Sequence, residues 1–230
     1  MTKSVLLVLT NHGVVEGTDV ATGWYLPECA HPYFRFKDAN YDISFCSVSG
    51  GDTTVSPSSL DMTDEENKSF WENAETKSLT ENTKPLSDFD GSKFDCVFFV
   101  GGFGTMWDFP DNEHVQRVAR EVYERGGVVG AVCHGPIALA NVRLSNGSLL
   151  VEGKGCTAFC NEEEAQAGME SHLPQREGGK SCEDILAARG GRFSKGAAWS
   201  NHVVSDERVV TGQNPMSARS AAEACIAALA

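Results

Sequence analysis

No stretch of this chain approaches the ~20 consecutive apolar residues that a membrane-spanning helix requires. A bilayer span is therefore not expected. Basic residues are scarce: 19 Lys and Arg stand against 32 Asp and Glu, giving a formal charge of −13 and a pI near 4.8. Such a chain repels nucleic acid and anionic membrane surfaces, which leaves small molecules and proteins as partners. Disulfide and zinc spacings are missing too. The eight cysteines, at 29, 46, 96, 133, 156, 160, 182 and 225, are scattered through mostly apolar segments, and no second Cys/His pair follows Cys156 and Cys160. Reduced thiols in the cytoplasm, with the nucleus also open, are the expectation. The segment Met1–Thr10 has one lysine, a short apolar run and no cleavage pattern, so it reads as a first strand and not a signal peptide. There is no repeat and no linker. The 230 residues read as a single α/β domain, 1–230, able to bury about 70–75% of the unfolded surface without staples.

What the chain does have is Gly126-Gly-Val-Val-Gly-Ala-Val-Cys133-His134-Gly135-Pro136-Ile-Ala-Leu-Ala140. Val128–Val132 is a short β-branched run of the kind buried in a parallel sheet. Pro136 suits a first helical turn, and Ile137–Ala140 have helical content. Cys133 therefore falls where strand becomes helix. Small residues at Ala131 and Gly135 match a nucleophile elbow, whose crowded turn leaves no room for bulk. A thiol there is expected to feel the positive end of the following helix and to favour thiolate. Free cysteine is also commonly buried, so an inert core thiol is the competing reading.

The remaining elements alternate. Val5–Leu9 reads as a strand, a helix is expected through Glu28 to Phe36, and a second strand follows near 42–48. Residues 49–92 are turn-rich, polar and acidic, with Thr63-Asp-Glu-Glu resembling a helix start, and read as an exposed insertion with too few apolar residues for its own core. Cys96–Val100 is a third strand running into Gly101-Gly102-Phe103-Gly104. Glu113–Glu124 carries one apolar stripe of Val115, Val118, Ala119, Val122 and Tyr123. Asn146-Gly147 signals a tight hairpin, Asn161 opens a helix, 187–212 supplies two or three short strands, and Asn214-Pro215 starts a last helix. Such alternation gives a mostly parallel, covered sheet whose ligands bind beyond the strands' C-terminal ends.

That rule selects the residues able to meet Cys133. The N–H groups of Gly102 and His134 form a candidate oxyanion hole, although glycine-rich strand ends are also plain turns. After the first strand come Glu16 and Glu28, either of which offers a carboxyl for proton transfer or is merely a surface acid. A glutamate from the cluster Glu162, Glu163 and Glu164 is placed to orient His134.

The Ala131-Val-Cys133-His134-Gly135-Pro136 elbow, with Gly101-Gly-Phe-Gly104 before Thr-Met-Trp-Asp108, resembles the ThiJ/PfpI superfamily. So does Gly23-Trp-Tyr-Leu-Pro-Glu28-Cys-Ala-His31-Pro32, while Val151-Glu-Gly-Lys-Gly155 and Val209-Val-Thr-Gly-Gln-Asn-Pro215 extend the likeness nearly end to end. The nearest branch is that of the glutathione-independent glyoxalases, also described as thirty-one-kilodalton heat-shock chaperones. The resemblance implies an α/β, flavodoxin-like three-layer sandwich with a nucleophile elbow, and a homodimer. It implies Cys133 as nucleophile, His134 as its partner, Glu28 as proton shuttle, Glu164 as the acid behind His134 and Gly102 as backbone donor. The activity implied is conversion of methylglyoxal, or a similar 2-oxoaldehyde, to D-lactate or the matching 2-hydroxy acid, with no cofactor and no metal. Phe103 stands where relatives usually have a histidine, so metal sites known in some of them are not carried over. The alternatives are a stress-protective chaperone or deglycase, and a cysteine redox sensor. A glutamine amidotransferase would need a His-Xaa-Glu after Cys133, which the sequence lacks.

Overall fold

The computed structural model describes residues 2–230. The first strand, β1 (Ser4–Leu9), alternates Val5, Leu7 and Leu9 into one apolar layer with Leu6 and Val8 into the other. Burial on both faces at a period of two is the mark of an interior parallel strand. Helix α1 (Leu26–Asp38) follows and carries Glu28 in its first turn, and β2 (Asp42–Ser47) pairs parallel to β1.

Residues 49–92 contain α2 (Glu65–Glu72), α3 (Ala74–Ser78) and the two-residue β3 (Lys84–Pro85). Asp64 caps α2 by accepting from the Asn67 N–H at 2.9 Å, the role its Ser/Thr/Asp-type side chain suits. Much of this segment is exposed, but Phe70 is fully buried against Tyr33 and Phe45, with ring centroids 5.3 Å and 6.3 Å away. Arg35 of α1 also donates to Glu66 of α2 at 2.7 Å.

Next come β4 (Cys96–Phe99), α4 (Thr105–Asp108), α5 (Glu113–Glu124) and β5 (Val128–Val132). The stripe predicted for α5 is its buried face, and the helix is capped by Asn112 Oδ1 accepting from the His114 and Val115 N–H groups. The C-terminal third holds β6 (Gly155–Cys156), α6 (Asn161–Ala167), α7 (Cys182–Ala188), β7 (Arg192–Phe193), β8 (Val203–Asp206), β9 (Val209–Gly212) and α8 (Ala218–Ala228).

The main sheet runs β3-β2-β1-β4-β5-β9-β8, parallel except for β8, which is antiparallel to β9. Helices α1 and α8 pack together on one face and α5 covers the other. The chain winds outward from β1 on one side and from β4 on the other, so the reversal lies between these two strands. Ligands of such sheets sit beyond their C-terminal ends. Among the described residues no helix is long and apolar enough to cross a membrane.

One local expectation is corrected. The chain after β5 forms not an α-helix but a five-residue 3-10 turn, Gly135–Leu139, with all five residues buried. Its bonds are i to i+3: Ile137 N–H donates to His134 O and Ala140 N–H to Ile137 O. A single turn enclosed on every side has no exposed face along which an amphipathic helix could continue, and at Asn141 the chain leaves it, that side chain binding Pro110 O and Asp111 instead. Around Asn146-Gly147 the chain does turn tightly, with Gly147 at φ +89° and Arg143 bridged antiparallel to Leu149.

Phe70 ties the 49–92 segment to the core. Phe70→Ala should cost about 3–5 kcal/mol, the range for large aromatic deletions, read by denaturant unfolding. Limited proteolysis should cut within 49–92 first. A loss below about 1 kcal/mol would mean that the segment is not anchored there.

Candidate active site

Two strand ends and two helices deliver the site. Cys133 follows β5 at φ +60°, a left-handed conformation that non-glycine residues rarely hold without compensation. Two backbone bonds hold it there: its N–H donates to Gly212 O at 2.9 Å and its carbonyl accepts from Phe159 N–H at 2.8 Å. The strained turn lifts Sγ into a cavity of about 370 Å3, lined among others by Tyr25, Gly102, Phe103, His134, Phe159 and Trp199. Cys133 is 3% exposed and the other seven cysteines are fully enclosed, which makes it the one cysteine lining that cavity.

From β4 come Gly101 and Gly102. A side chain at Gly101 would collide with Glu28 Oε2 and Val132 O and lie 3.0 Å from Cys133 Cβ. At Gly102, φ is +116° and a Cβ would sit 2.7 Å from Trp24 Cα. Both positions thus require glycine. Gly101 O in turn accepts from the Tyr25 N–H at 3.0 Å, which sets the start of α1.

From α1 comes Glu28, fully buried, with neither carboxyl oxygen hydrogen-bonded to oxygen or nitrogen among the described residues. The group facing it is the Cys133 thiol. Burial pushes the Glu28 carboxyl well above the ordinary carboxylate range, and hydrogen bonding to Cys133 pulls it back only in part. Burial also pushes the Cys133 thiol up, and the Glu28 charge and hydrogen bond push it further. The expected shift toward thiolate is therefore reversed. A 3-10 turn lacks a long helix's aligned dipoles, the sulfur is desolvated, and its neighbour is an acid. Beside them, Tyr25 is raised to about 12, by burial first and by Glu28 second.

His134 links the thiol to α6. Its Nδ1 lies 3.4 Å from Cys133 Sγ and its Nε2 lies 2.7 Å from Glu164 Oε1, both side chains being buried. A carboxylate only accepts, so the short bond holds the proton on Nε2 and leaves the Nδ1 lone pair toward sulfur. Glu163 reaches elsewhere: Oε1 accepts from the Trp199 N–H at 2.8 Å, Gln213 Nε2 at 3.0 Å and Asn214 Nδ2 at 2.8 Å, while Oε2 accepts from Cys160 N–H at 3.1 Å. Glu162 binds Gln166 at the surface, and Glu16 is exposed. Glu28 is thus the acid against the Cys133 thiol and Glu164 the acid behind His134, Glu163 adding a weaker push on the thiol, while Gly102 and His134 line the same cavity as Cys133.

The aromatic walls escaped the sequence reading. Phe103 packs edge-on to His134 with centroids 5.2 Å apart, Phe159 lies 4.5 Å from the same ring, and Trp199 stands edge-on to Phe159 at 5.4 Å. The only sequence signal for Trp199 is a lone large aromatic within Gly196-Ala-Ala-Trp-Ser-Asn201. Among the described residues no group of three His, Cys, Asp or Glu side chains converges to hold a metal ion.

An elbow thiol, a buried glutamate and a His-Glu pair on a mostly parallel sheet invite comparison with known proteins. Over 99% of its length the chain is 35% identical to the glutathione-independent glyoxalase hsp3102 of Schizosaccharomyces pombe, covering 98% of that protein. Among solved structures it is similar to the Rapid Encystment Protein REP24 of Francisella tularensis (36% identity, TM-score 0.94, all of both chains). It is also similar to glyoxalase III of Candida albicans (31% identity, TM-score 0.91, 98% of this chain and 97% of that one). A family profile matches residues 20–228, and with it the chain belongs to the DJ-1/PfpI family.

Proposed function

We propose that this protein is a cofactor-independent glyoxalase of the glyoxalase III type, a lyase-class enzyme converting methylglyoxal to D-lactate without glutathione. The observation that carries the reading is the meeting of Cys133 and His134 at one cavity, with Glu28 buried against the thiol and Glu164 bonded to the far side of the imidazole. The names of the relatives, glutathione-independent glyoxalase and glyoxalase III, support it.

In this reading Cys133 Sγ attacks the aldehyde carbon C1 and its proton passes to His134 Nδ1. The developing oxyanion is met by the N–H groups of Gly102 and His134 and takes the Glu28 proton, giving a hemithioacetal. Glu28, now a carboxylate, removes the C1 hydrogen while His134 returns its proton to the C2 oxygen, which gives an enediol. Glu28 then protonates C2 as His134 takes the hydroxyl proton at C1, leaving a thioester. Water adds at C1, losing a proton to Glu28. Thiolate departs, takes the His134 proton, and the 2-hydroxy acid is released. One water is consumed and nothing is oxidised overall. A buried carboxyl raised toward working pH suits a group that both gives and takes protons. Glu164 keeps His134 in the tautomer that the first step needs.

The protein is further read as a stress-responsive, cytoplasmic homodimer acting on a small molecule and not on nucleic acid or membrane. The net charge of −13 and eight unpaired thiols support this. Light scattering should give twice the 24.7 kDa chain mass, and a monomer mass across a wide concentration range would remove the dimer.

Under limiting iodoacetamide, peptide mapping should find Cys133 labelled before the other seven cysteines, and Cys133→Ala should be folded and inactive. First labelling of Cys29 or Cys160, with Cys133 untouched, would overturn the nucleophile. Glu28→Gln should lower turnover by about 10²–10⁴-fold, as expected on losing a general acid–base.

The stability of the Glu28→Gln variant has a defined sign. The folded pKa of Glu28 lies above its ordinary value of 4.5, so the folded state binds this proton more tightly than the unfolded chain. Its favourable contribution is complete below about pH 4.5 and is lost as pH rises toward the folded pKa. The Gln variant should match the parent melting temperature near pH 4 and equal or exceed it near pH 8. A variant much less stable at pH 8 would make Glu28 a structural acid.

A further inference from the structure

The cavity is far larger than methylglyoxal. Water occupies about 30 Å3 in the liquid, so methylglyoxal fills roughly three such volumes, whereas the cavity measures about 370 Å3. That is the range of pockets that enclose whole drug-sized molecules. Beyond Cys133 and His134 its walls are mainly apolar and aromatic, with Phe103, Phe159 and Trp199 among them, while Thr22, Tyr25, Ser56 and Ser58 add uncharged hydroxyls. No lysine, arginine, aspartate or glutamate is among the described residues lining it. An anionic substituent would find no counter-charge there.

The rim continues the same chemistry. The large apolar side chains left exposed among the described residues are Val14, Val20, Leu60, Trp199 and Met216. Val20 and Trp199 line the cavity, Val14 is bridged to the lining residue Ala21, Met216 follows lining Pro215, and Leu60 lies two residues beyond lining Ser58. Val20 and Trp199 are thus exposed apolar side chains at the cavity itself, and such placement carries meaning where scattered exposure carries none.

Trp199 is the fixed part of that rim. It is 41% exposed and sits at φ +60°, a conformation costly for a bulky residue. It is held by its backbone N–H to Glu163 Oε1 at 2.8 Å and by Nε1–H to Gln166 Oε1 at 2.6 Å. Both acceptors lie on α6, which also carries Glu164. The indole is thereby set against Phe159 before any ligand arrives, and a preformed wall gives affinity without an ordering cost.

We infer that the cavity selects uncharged 2-oxoaldehydes bearing an aromatic or bulky apolar substituent, and that Trp199 is the residue that reads this substituent. The inference rests on the glyoxalase reading for its reaction, while the selection itself rests on the walls. The aldehyde end meets Cys133, and the substituent lies against the wall that Phe159 and Trp199 form together. Aromatic contact of this kind is worth about 3–10-fold in affinity.

Initial rates with phenylglyoxal and methylglyoxal on the parent protein, Trp199→Ala and Trp199→Phe test it. The parent should show a KM for phenylglyoxal at least about 3-fold below that for methylglyoxal. Trp199→Ala should raise the phenylglyoxal KM by about 3–10-fold more than the methylglyoxal KM, and Trp199→Phe should restore most of that difference. Equal shifts for both substrates, or no shift, would overturn the inference while leaving the glyoxalase reading intact. If neither aldehyde turns over, that reading falls and the selection is decided by binding alone. Acetophenone, an unreactive aryl ketone, should then protect Cys133 from iodoacetamide better than acetone does, and the advantage should vanish in Trp199→Ala. Equal protection by the two ketones in the parent would overturn it.

Discussion

The site depends on how closely two strand ends and one helix approach each other at Gly101. The space a side chain would fill there is taken by the Glu28 carboxyl, the Val132 carbonyl and the Cys133 Cβ. Parallel pairing of β4 with β5 brings the two strand ends side by side, and the bond from Tyr25 N–H to Gly101 O brings in the first turn of α1. Acid and thiol therefore meet because backbone meets backbone. Neither needs a long, mobile side chain to reach the other, and this is how a constellation is held to the tolerance that proton transfer requires.

Three fully or nearly fully buried glutamates surround this point, and their different partners explain their different uses. Glu163 accepts four hydrogen bonds from donors on three segments, so its burial is compensated and it serves as a structural clasp. Glu164 has one strong partner in His134 and one oxygen without a partner among the described residues. Glu28 faces a thiol alone. An unpaired buried carboxyl costs stability wherever it ionises, and nothing in the packing around Glu28 calls for an acid. Under the proposed function its presence is explained by proton transfer, since poorly compensated groups concentrate where function requires them.

Much of this was legible in the sequence because it is encoded locally. The apolar run of β1, the stripe on α5 and the elbow between Ala131 and Gly135 each depend on neighbours within a few residues, and each is found where the pattern puts it. The family likeness singled out Glu28 and Glu164, which local chemistry had left open beside Glu16, Glu162 and Glu163. What was not legible is decided at long range. The raised thiol follows from enclosure and from Glu28, more than a hundred residues away in the chain. The helix expected after Cys133 became a 3-10 turn because every side of it is covered. Trp199 lies in a polar stretch with no period, and only the fold brings it to Phe159.

Charge ties the cavity to its surroundings. The proposed reaction turns a neutral aldehyde into an acid, and the pocket assigned to it has no lysine or arginine among its described lining residues. The chain around it carries a net −13, and the three buried glutamates of the site add to the local field. A neutral substrate enters such a cavity without electrostatic cost, whereas the product carboxylate is desolvated with no counter-charge and repelled by the whole molecule. A site that held its product as firmly as its substrate would spend binding energy on a ground state that slows release. An acidic protein with an uncharged, aromatic pocket therefore suits an enzyme that makes acids: attraction ends when the chemistry does, and product leaves down the gradient that the protein's own charge creates.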